Sequence, residues 1–191
     1  FPASHTPDHR KTALIEGYTV GDNVVYLQEQ GKEQFTLLYG TPMEQRTPGQ
    51  QVPLNGIGSA EFTSTQAGLV MQSNLFEDTG DLCYLAFAEP GKVQRVQING
   101  VAHTGAGELE GIQHLKADRY LVMYNIDGCS WVYEASFDEA KLVMHLERAL
   151  VGQGELSDGM LEAISYDKAG DRFALAFFTA AAPTQIYTIE G

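Results

Sequence analysis

The amino-acid sequence predicts an all-β fold built from a repeated unit of about four strands. Three observations support this prediction: runs rich in aromatic and branched residues, turn-forming residues between the runs, and an internal repeat. The 191 residues, 43% of them hydrophobic, are enough for one ordinary domain with a sizeable core.

The runs have the composition and the spacing of β-strands. Residues 119–124 read Arg-Tyr-Leu-Val-Met-Tyr, and residues 130–136 alternate large and small side chains with the period of two that a strand imposes. Residues 138–150 also show a helical pattern, but their apolar side chains alternate as well, which favours an outer strand. Turn-forming residues separate the runs at residues 21–23, 78–81, 127–128 and 169–171.

The internal repeat is clearest in the second half of the chain. Three pairs of similar segments keep the same order while their offset drifts from 52 to 54 residues: 109–112 with 161–164, 118–121 with 171–174, and 132–133 with 186–187. Such a drift is expected where turns vary in length and strands do not.

Two weaker copies of the unit lie upstream. Residues 68–72 followed by 81–85 resemble the second and third strands of the later units, and residues 23–27 followed by 34–38 do so again. These two copies are 45 residues apart. A repeat of this length is typical of a four-stranded propeller blade, so the sequence predicts a β-propeller-type array of about four blades.

The last of these blades is predicted to be incomplete. The third unit has four strands, near residues 109–115, 119–124, 130–136 and 141–147, and the fourth has three, near residues 161–166, 172–178 and 185–189. A missing outer strand leaves unpaired backbone donors and acceptors at the sheet edge. Either the chain comes from a longer protein, or another segment, for which the N-terminus is a weak candidate, closes the blade.

We therefore divide the chain into a flexible N-terminal segment, residues 1–10, and propeller blades over residues 11–191. The N-terminal segment is short, polar and punctuated by proline. The approximate blade limits are residues 11–50, 51–100, 101–152 and 153–191.

The charge balance excludes some classes of partner. A net charge of -13 repels phosphate backbones and anionic lipid headgroups, which argues against nucleic-acid and membrane binding. Cys83 and Cys129 lie in or beside apolar runs and do not make a disulfide framework. We expect both to be reduced structural cysteines in a cytoplasmic protein.

Three segments near the C-terminus resemble a known family: residues 158–166, 170–177 and 182–189. Together they are similar to the last propeller blade of the prolyl-oligopeptidase family of serine peptidases, which includes the acylaminoacyl peptidases. The earlier units are compatible with preceding blades, so the resemblance covers most of the chain. It implies that an α/β-hydrolase domain would follow and that the propeller would cover the active site and filter substrates by size.

The chemistry of that family has no counterpart in these residues. Its nucleophile lies in a Gly-x-Ser-x-Gly elbow, and the sequence around Ser59 and Ser130 does not fit that pattern. We therefore assign no catalytic residue and no cofactor-binding residue to the chain.

The histidines do not predict a metal site. His5 and His9 have the spacing of two ligands on one helical face, but Pro7 lies between them and no glutamate adjoins either. The remaining histidines fall in separate strand or loop positions and are interpreted as surface or core residues: His103, His114 and His145. We assign no metal ligand.

Other candidate residues favour structural roles. Asp78 and Asp81 fit a turn, and the pair Glu108 and Glu110 is not by itself a glycosidase site. Residues 105–107 lack the lysine and helix of a phosphate-binding loop. The single tryptophan, Trp131, is expected in the core, with a ligand platform at the propeller mouth as the alternative.

The sequence thus predicts a non-catalytic propeller segment that resembles the substrate-gating domain of a prolyl-oligopeptidase-type serine peptidase, with the hydrolase domain outside this chain. The alternative is a stand-alone propeller that binds a protein, a peptide or a small ligand. Its four blades would close on themselves, as in hemopexin-like propellers, or two copies would form an eight-bladed ring. A third hypothesis is a small enzyme that acts through acidic pore residues. The expected partners are a C-terminal hydrolase domain or a second copy of the chain.

Overall fold

A computed structural model describes residues 1–191 and contains sixteen β-strands in four antiparallel sheets. The only helical elements are two 3₁₀ turns, Met43–Gln45 and Gly154–Leu156. The predicted all-β, propeller-type array is confirmed. The structure contains no helix long and apolar enough to cross a membrane.

The chain forms two compact units, residues 1–97 and residues 98–191. The first unit contains two four-stranded sheets whose strands follow one another in chain order. Sheet 1 consists of β1 (Pro2–His5), β2 (Lys11–Thr19), β3 (Asp22–Glu29) and β4 (Thr36–Tyr39). Sheet 2 consists of β5 (Ile57–Phe62), β6 (Gly68–Ser73), β7 (Asp81–Ala86) and β8 (Val93–Arg95).

The second unit contains the two sheets that carry the clearer repeat. Sheet 3 consists of β10 (Gly107–Lys116), β11 (Arg119–Ile126), β12 (Cys129–Asp138) and β13 (Val143–Val151), with β9 (Gln97–Asn99) beside β13 as a fifth strand. Sheet 4 consists of β14 (Gly159–Asp167), β15 (Arg172–Thr179) and β16 (Ala182–Glu190). The last sheet therefore has three strands, as predicted.

A recurring backbone feature marks the turn between the first and second strands of each sheet. One residue in each of these turns has a left-handed backbone, with φ between 49° and 57°: His9, Gln66, Ala117 and Asp171. These positions lie 51 to 57 residues apart. The four turns between first and second strands therefore share one backbone conformation.

Each unit has its own hydrophobic core between its two sheets. In the first unit, Ala13 and Ile15 of β2 pack with Leu69 and Met71 of β6. In the second unit, apolar residues of sheet 3 pack against Phe173 and further residues of β15. The alternation along β2 and β15 sends every second side chain into these cores.

The first sheet differs from the sequence-based interpretation. Pro2–His5, expected to be part of a flexible segment, forms β1 and pairs with β2. As a result, residues 23–27 belong to the third strand of sheet 1, whereas the repeat suggested the second. The reason is that β1 is held by backbone hydrogen bonds to β2, and polar side chains do not reveal such pairing.

Candidate functional site

The most distinctive group of side chains in the second unit is an aromatic cluster formed by His103, Tyr124, Trp131 and Tyr133. Tyr124 of β11 lies directly opposite Trp131 of β12, and Tyr133 is two residues further along β12. Residues opposite each other or two apart in a strand share a face of the sheet. The hairpin therefore places three aromatic side chains on one face.

His103 joins this cluster from the loop before β10. Its ring centroid lies 4.7 Å from that of Tyr124, 5.6 Å from that of Trp131 and 5.7 Å from that of Tyr133. Trp131 and Tyr133 are stacked with centroids 5.9 Å apart. These separations are within the range in which aromatic rings attract one another.

The hydroxyl of Tyr133 fixes the loop that carries His103. The backbone N–H groups of Ala102 and His103 donate to this oxygen at 3.3 Å and 3.0 Å, and Nδ1 of His103 lies 2.8 Å from it. Because the two N–H donors occupy the oxygen lone pairs, the hydroxyl proton points to Nδ1. This arrangement requires a neutral imidazole with its proton on Nε2.

Burial favours the uncharged form of both His103 and Tyr133. It lowers the pKa of His103 below its ordinary value, which favours the neutral ring. It also raises the pKa of Tyr133, which keeps the phenol protonated. The two groups therefore form a neutral hydrogen-bonded pair and not a charged acid–base pair.

Gly152 makes room for the indole of Trp131. A Cβ atom on Gly152 would lie 2.3 Å from Cδ2 of Trp131, and the glycine has a φ of +108°. Tyr133 is only 1% exposed, whereas Trp131 and Tyr124 are half-buried. The cluster can therefore offer the partly exposed rings of Trp131 and Tyr124 to an apolar or aromatic group.

A second group, an ion-pair network, joins sheets 3 and 4. It consists of Lys116, Arg119, Glu134, Arg148 and Asp171. Arg119 contacts both Glu134 and Asp171, so one guanidinium bridges the two sheets. Glu134 also pairs with Arg148 at 2.8 Å.

Asp171 is the acceptor at the centre of this network. It is 2.7 Å from Nζ of Lys116 and 2.9 Å from Nη1 of Arg119, and the hydroxyl of Tyr166 donates to it at 2.7 Å. Lys116 is the largest cause of a pKa of Asp171 held far below its ordinary value, followed by Tyr166. The carboxylate is thus charged and serves to hold the two sheets together.

Sequence reasoning named Arg119 and Asp171, as members of a repeated Asp-Arg pair, without finding the network. Asp118-Arg119 and Asp171-Arg172 are the repeated pair. In the structure, Arg119 of one repeat pairs with Asp171 of the next. The repeat therefore contained a usable signal, an acid and a base that recur together at the same turn.

The histidines considered from the sequence have local contacts. His5 and His9 lie 4.3 Å apart between ring centroids, although they are on β1 and in the following turn and not on a helix. Nε2 of His114 is 2.8 Å from the carbonyl oxygen of Ala117. The structure contains no group of three or more His, Cys, Asp or Glu side chains arranged to hold a metal ion.

The remaining candidates lie in separate places. Asp81 pairs with Arg95 at 2.7 Å. The loop at residues 105–107 is tied to the hairpin, because the N–H of Ala106 donates to Oδ1 of Asp127 at 3.2 Å. Glu108 and Glu110 lie on β10.

The two cysteines are free thiols. Cys83 is buried and Cys129 is half-buried. Burial raises the pKa of Cys83 to about 12, so its thiol stays protonated and unreactive near neutral pH.

Comparisons with solved structures identify the type of fold. No protein-family model matches the chain, and no curated protein matches it. Among solved structures, a prolyl endopeptidase matches 97% of the chain with a TM-score of 0.67 and 15% identity. Oligopeptidase B from Trypanosoma brucei with covalently bound antipain matches 98% of it with a TM-score of 0.63 and 13% identity. The chain has a propeller-type fold.

The chain also resembles a solved structure that is not named as a peptidase. TolB from Acinetobacter baumannii matches 97% of the chain with a TM-score of 0.56 and 13% identity. The resemblance to prolyl-oligopeptidase propellers drawn from the sequence is confirmed at the level of the fold. The chain spans 24% to 39% of the length of these solved chains.

Proposed function

We propose that the chain is a non-catalytic propeller segment that adjoins a serine hydrolase domain and limits which substrates reach it. The observation that carries the proposal is the likeness to prolyl endopeptidase and oligopeptidase B structures over nearly the whole chain. The chain covers about a quarter of each of those chains, which leaves room in a protein of that kind for a separate catalytic domain.

In this proposal the chemistry lies outside the chain. A Ser-His-Asp triad would perform nucleophilic acyl transfer in the hydrolase domain. The contribution of the propeller would be to exclude bulky substrates, and this requires neighbouring blades that do not separate easily. The shared core and the ion-pair network between sheets 3 and 4 suit that requirement.

We retain blade limits close to residues 11–50, 51–100, 101–152 and 153–191. The four sheets support these limits, except that β9, which lies beside β13, joins the third blade. Residues Pro2–His5 are added to the first blade, because β1 pairs with β2.

The test begins with the gene that encodes the chain. We expect it to encode an α/β-hydrolase domain with a Gly-x-Ser-x-Gly elbow in the same protein. The full gene product should cleave short peptides, cleave peptides beyond a limiting length much more slowly, and lose all activity when the elbow serine is replaced. A gene that encodes no hydrolase domain would overturn the proposal.

A variant that removes the negative charge of Asp171 tests the filtering role in the same full gene product. Asp171→Asn removes the ion pairs between sheets 3 and 4 while keeping a residue that tolerates a left-handed backbone. We expect faster cleavage of the longest peptides with unchanged rates for the shortest. Lys92→Gln, which removes an exposed ion pair with Glu89 in sheet 2's loop, is the matched control.

The aromatic cluster favours a second candidate function, a stand-alone propeller that binds a ligand. Half-buried Trp131 and Tyr124 could stack on an apolar or aromatic group of a peptide. Because Trp131 is the single tryptophan, its emission reports binding at this site without interference. Titration with proline-rich and aromatic peptides should change that emission saturably, and Tyr124→Ala should abolish the change. No response to either peptide class would remove this candidate.

A further inference from the structure

Two Asn-Gly peptides occur in this chain, and their neighbours in the sequence are nearly the same. Residues 54–57 read Leu-Asn-Gly-Ile, and residues 98–101 read Ile-Asn-Gly-Val. Glycine after asparagine favours loss of the side-chain amide, because glycine has no Cβ atom to hinder attack by its own backbone nitrogen. The remaining asparagines of the chain precede Val, Leu or Ile. In an unfolded chain, Asn55 and Asn99 should therefore react at similar rates.

The fold holds the first of these asparagines in place. Asn55 is only 4% exposed, and Gly56 is buried. Oδ1 of Asn55 accepts from the backbone N–H of Asn23 at 2.8 Å, and Nδ2 donates to the carbonyl oxygen of Asn23 at 2.8 Å. Both hydrogen bonds must break before the nitrogen of Gly56 can reach the Cγ atom. The structure therefore protects Asn55 from this reaction.

The second asparagine has the opposite surroundings. Asn99 and Gly100 are both exposed. Asn99 is the last residue of β9, a strand of three residues at the edge of sheet 3. The end of a short edge strand opens at a small cost in free energy compared with a buried segment. The side chain of Asn99 and the backbone nitrogen of Gly100 are thus accessible to water and to the motion that the reaction needs.

We propose that Asn99 is a site of spontaneous deamidation in the folded chain and that Asn55 is not. The backbone nitrogen of Gly100 loses its proton to hydroxide and forms a bond to Cγ of Asn99. The Cγ–Nδ2 bond then breaks, and the amide leaves as ammonia after taking a proton from water.

The cyclic succinimide formed in this way is opened by one molecule of water. Opening at the side-chain carbonyl gives aspartate, and opening at the backbone carbonyl gives isoaspartate, whose main chain runs through the side-chain methylene group. The reaction consumes only water, so it needs no oxidant, metal or enzyme. This inference does not rest on the proposed function.

The position of Asn99 gives the modification a structural consequence. The backbone of Gly100 has a φ of +85° and passes so close to β13 that a Cβ atom on it would lie 2.3 Å from the carbonyl oxygen of Leu146. An isoaspartate at residue 99 adds one methylene group to the main chain directly before this close approach. We therefore expect isoaspartate to displace the loop that follows.

This loop carries His103 into the aromatic cluster. The backbone N–H of His103 donates to the hydroxyl of Tyr133 at 3.0 Å, and its ring centroid lies 5.6 Å from that of Trp131. Displacement of the loop should weaken the hydrogen bond and move the imidazole away from the indole. The emission of Trp131, the single tryptophan, would then report the modification.

Incubation of the full 191-residue chain at mildly alkaline pH, folded in buffer and unfolded in urea, tests the site. Peptide mapping by mass spectrometry locates the deamidated residue, and enzymatic methylation of isoaspartate quantifies that product. In the folded chain we expect Asn99 to convert at least about tenfold faster than Asn55, because Asn55 must first be released by local opening. In urea the two rates should become similar.

Asn99→Gln is the variant that tests the assignment. Glutamine keeps the amide, but its longer side chain would have to form a larger ring, so the folded variant should accumulate almost no isoaspartate. Equal rates at Asn55 and Asn99 in the folded chain, or faster conversion of Asn55, would overturn the proposal. Conversion of Asn99 in urea without conversion in the folded chain would overturn it as well.

The structural consequence has a separate test. Ion exchange separates the converted chain from the native one, and the isoaspartate form should show a shifted Trp131 emission. Asn99→Asp is the matched control, because it introduces the same charge into a main chain of normal length and should keep the native emission. An isoaspartate form with native emission would show that residue 99 does not position the loop of His103.

Discussion

Gly152 shows how one residue without a side chain determines the position of a large one. The indole of Trp131 lies where a Cβ atom of residue 152 would be. We expect Gly152→Ala to cost about 1–3 kcal/mol from overpacking, in addition to backbone strain, and to shift the emission of Trp131. Urea unfolding followed by fluorescence measures both effects.

Gly128→Ala is the matched control for this substitution. Gly128 also has a positive φ, but nothing lies within 4 Å of the position of its Cβ. It should cost only the left-handed backbone penalty, about 1–2 kcal/mol, and leave the emission of Trp131 unchanged. Equal effects of the two substitutions would show that contact with the indole is unimportant.

His103 makes the stability of the chain depend on pH. Its pKa in the folded chain is lowered by burial, so between that value and about 6.5 the unfolded chain binds more protons than the folded one. The free energy of unfolding is therefore highest above pH 6.5 and decreases as the pH falls toward the lowered pKa. We expect His103→Gln to reduce this dependence in urea unfolding measured between pH 7.5 and pH 5.5.

The remaining dependence should come partly from His114, whose pKa is also lowered by burial. His145 is exposed on β13, and His145→Gln is the matched control for replacing a histidine by glutamine. If His103→Gln and His145→Gln give the same profile, the hydrogen bond from Tyr133 does not hold the imidazole neutral.

Among the elements, the hairpin of β11 and β12 depends on its two-residue turn. Asp127 and Gly128 have φ values of 50° and 80°, and two positive φ values define a type I′ turn. Asp127 also accepts a hydrogen bond from Ala106. We expect Asp127→Ala to lower the free energy of unfolding by about 1–2 kcal/mol, because it loses both the turn preference and the hydrogen bond.

Asp127→Asn is the informative comparison. Asparagine tolerates the left-handed backbone and keeps an oxygen that accepts from Ala106. It should retain most of the stability of the native chain in the same unfolding measurement. A large loss with Asn would indicate that the charge of Asp127, and not the turn geometry, stabilises the hairpin.

Sequence patterns predicted the elements of the second unit better than those of the first. The turn at residues 127–128 and the strands on both sides were predicted, because alternation and a turn signal coincide there. The strand β13 was predicted against a competing helical pattern. In contrast, β1 was not predicted, and the strands of sheet 1 were shifted by one position. The reason is that β1 is held by backbone pairing with β2, which its side chains do not indicate.

The candidate site was less predictable than the fold. Trp131 was singled out as a possible platform, but His103 reaches it from a loop 28 residues earlier, through contacts that no spacing rule describes. The ion pair of Arg119 with Asp171 spans 52 residues. Only the recurrence of Asp and Arg at the same turn pointed to it, and a recurrence does not say which copy contacts which.

At the scale of the whole molecule, each of the two compact units has a core of its own. We expect residues 98–191, expressed alone, to unfold cooperatively and to show the same Trp131 emission as the full chain, because sheets 3 and 4 share a core within this unit. Far-ultraviolet circular dichroism and thermal unfolding test this. A fragment without a cooperative transition would show that the second unit needs the first.

The contact between a basic residue and the turn of the next sheet bears on how such an array lengthens. The segment that starts near Asp171 carries its own acceptor, and Arg172 immediately after it is a donor. A tandem duplication of this segment would therefore copy an acceptor for the preceding Arg and a donor for whatever follows. Each added sheet would then bring with it the residues that form the ion pair to its neighbour.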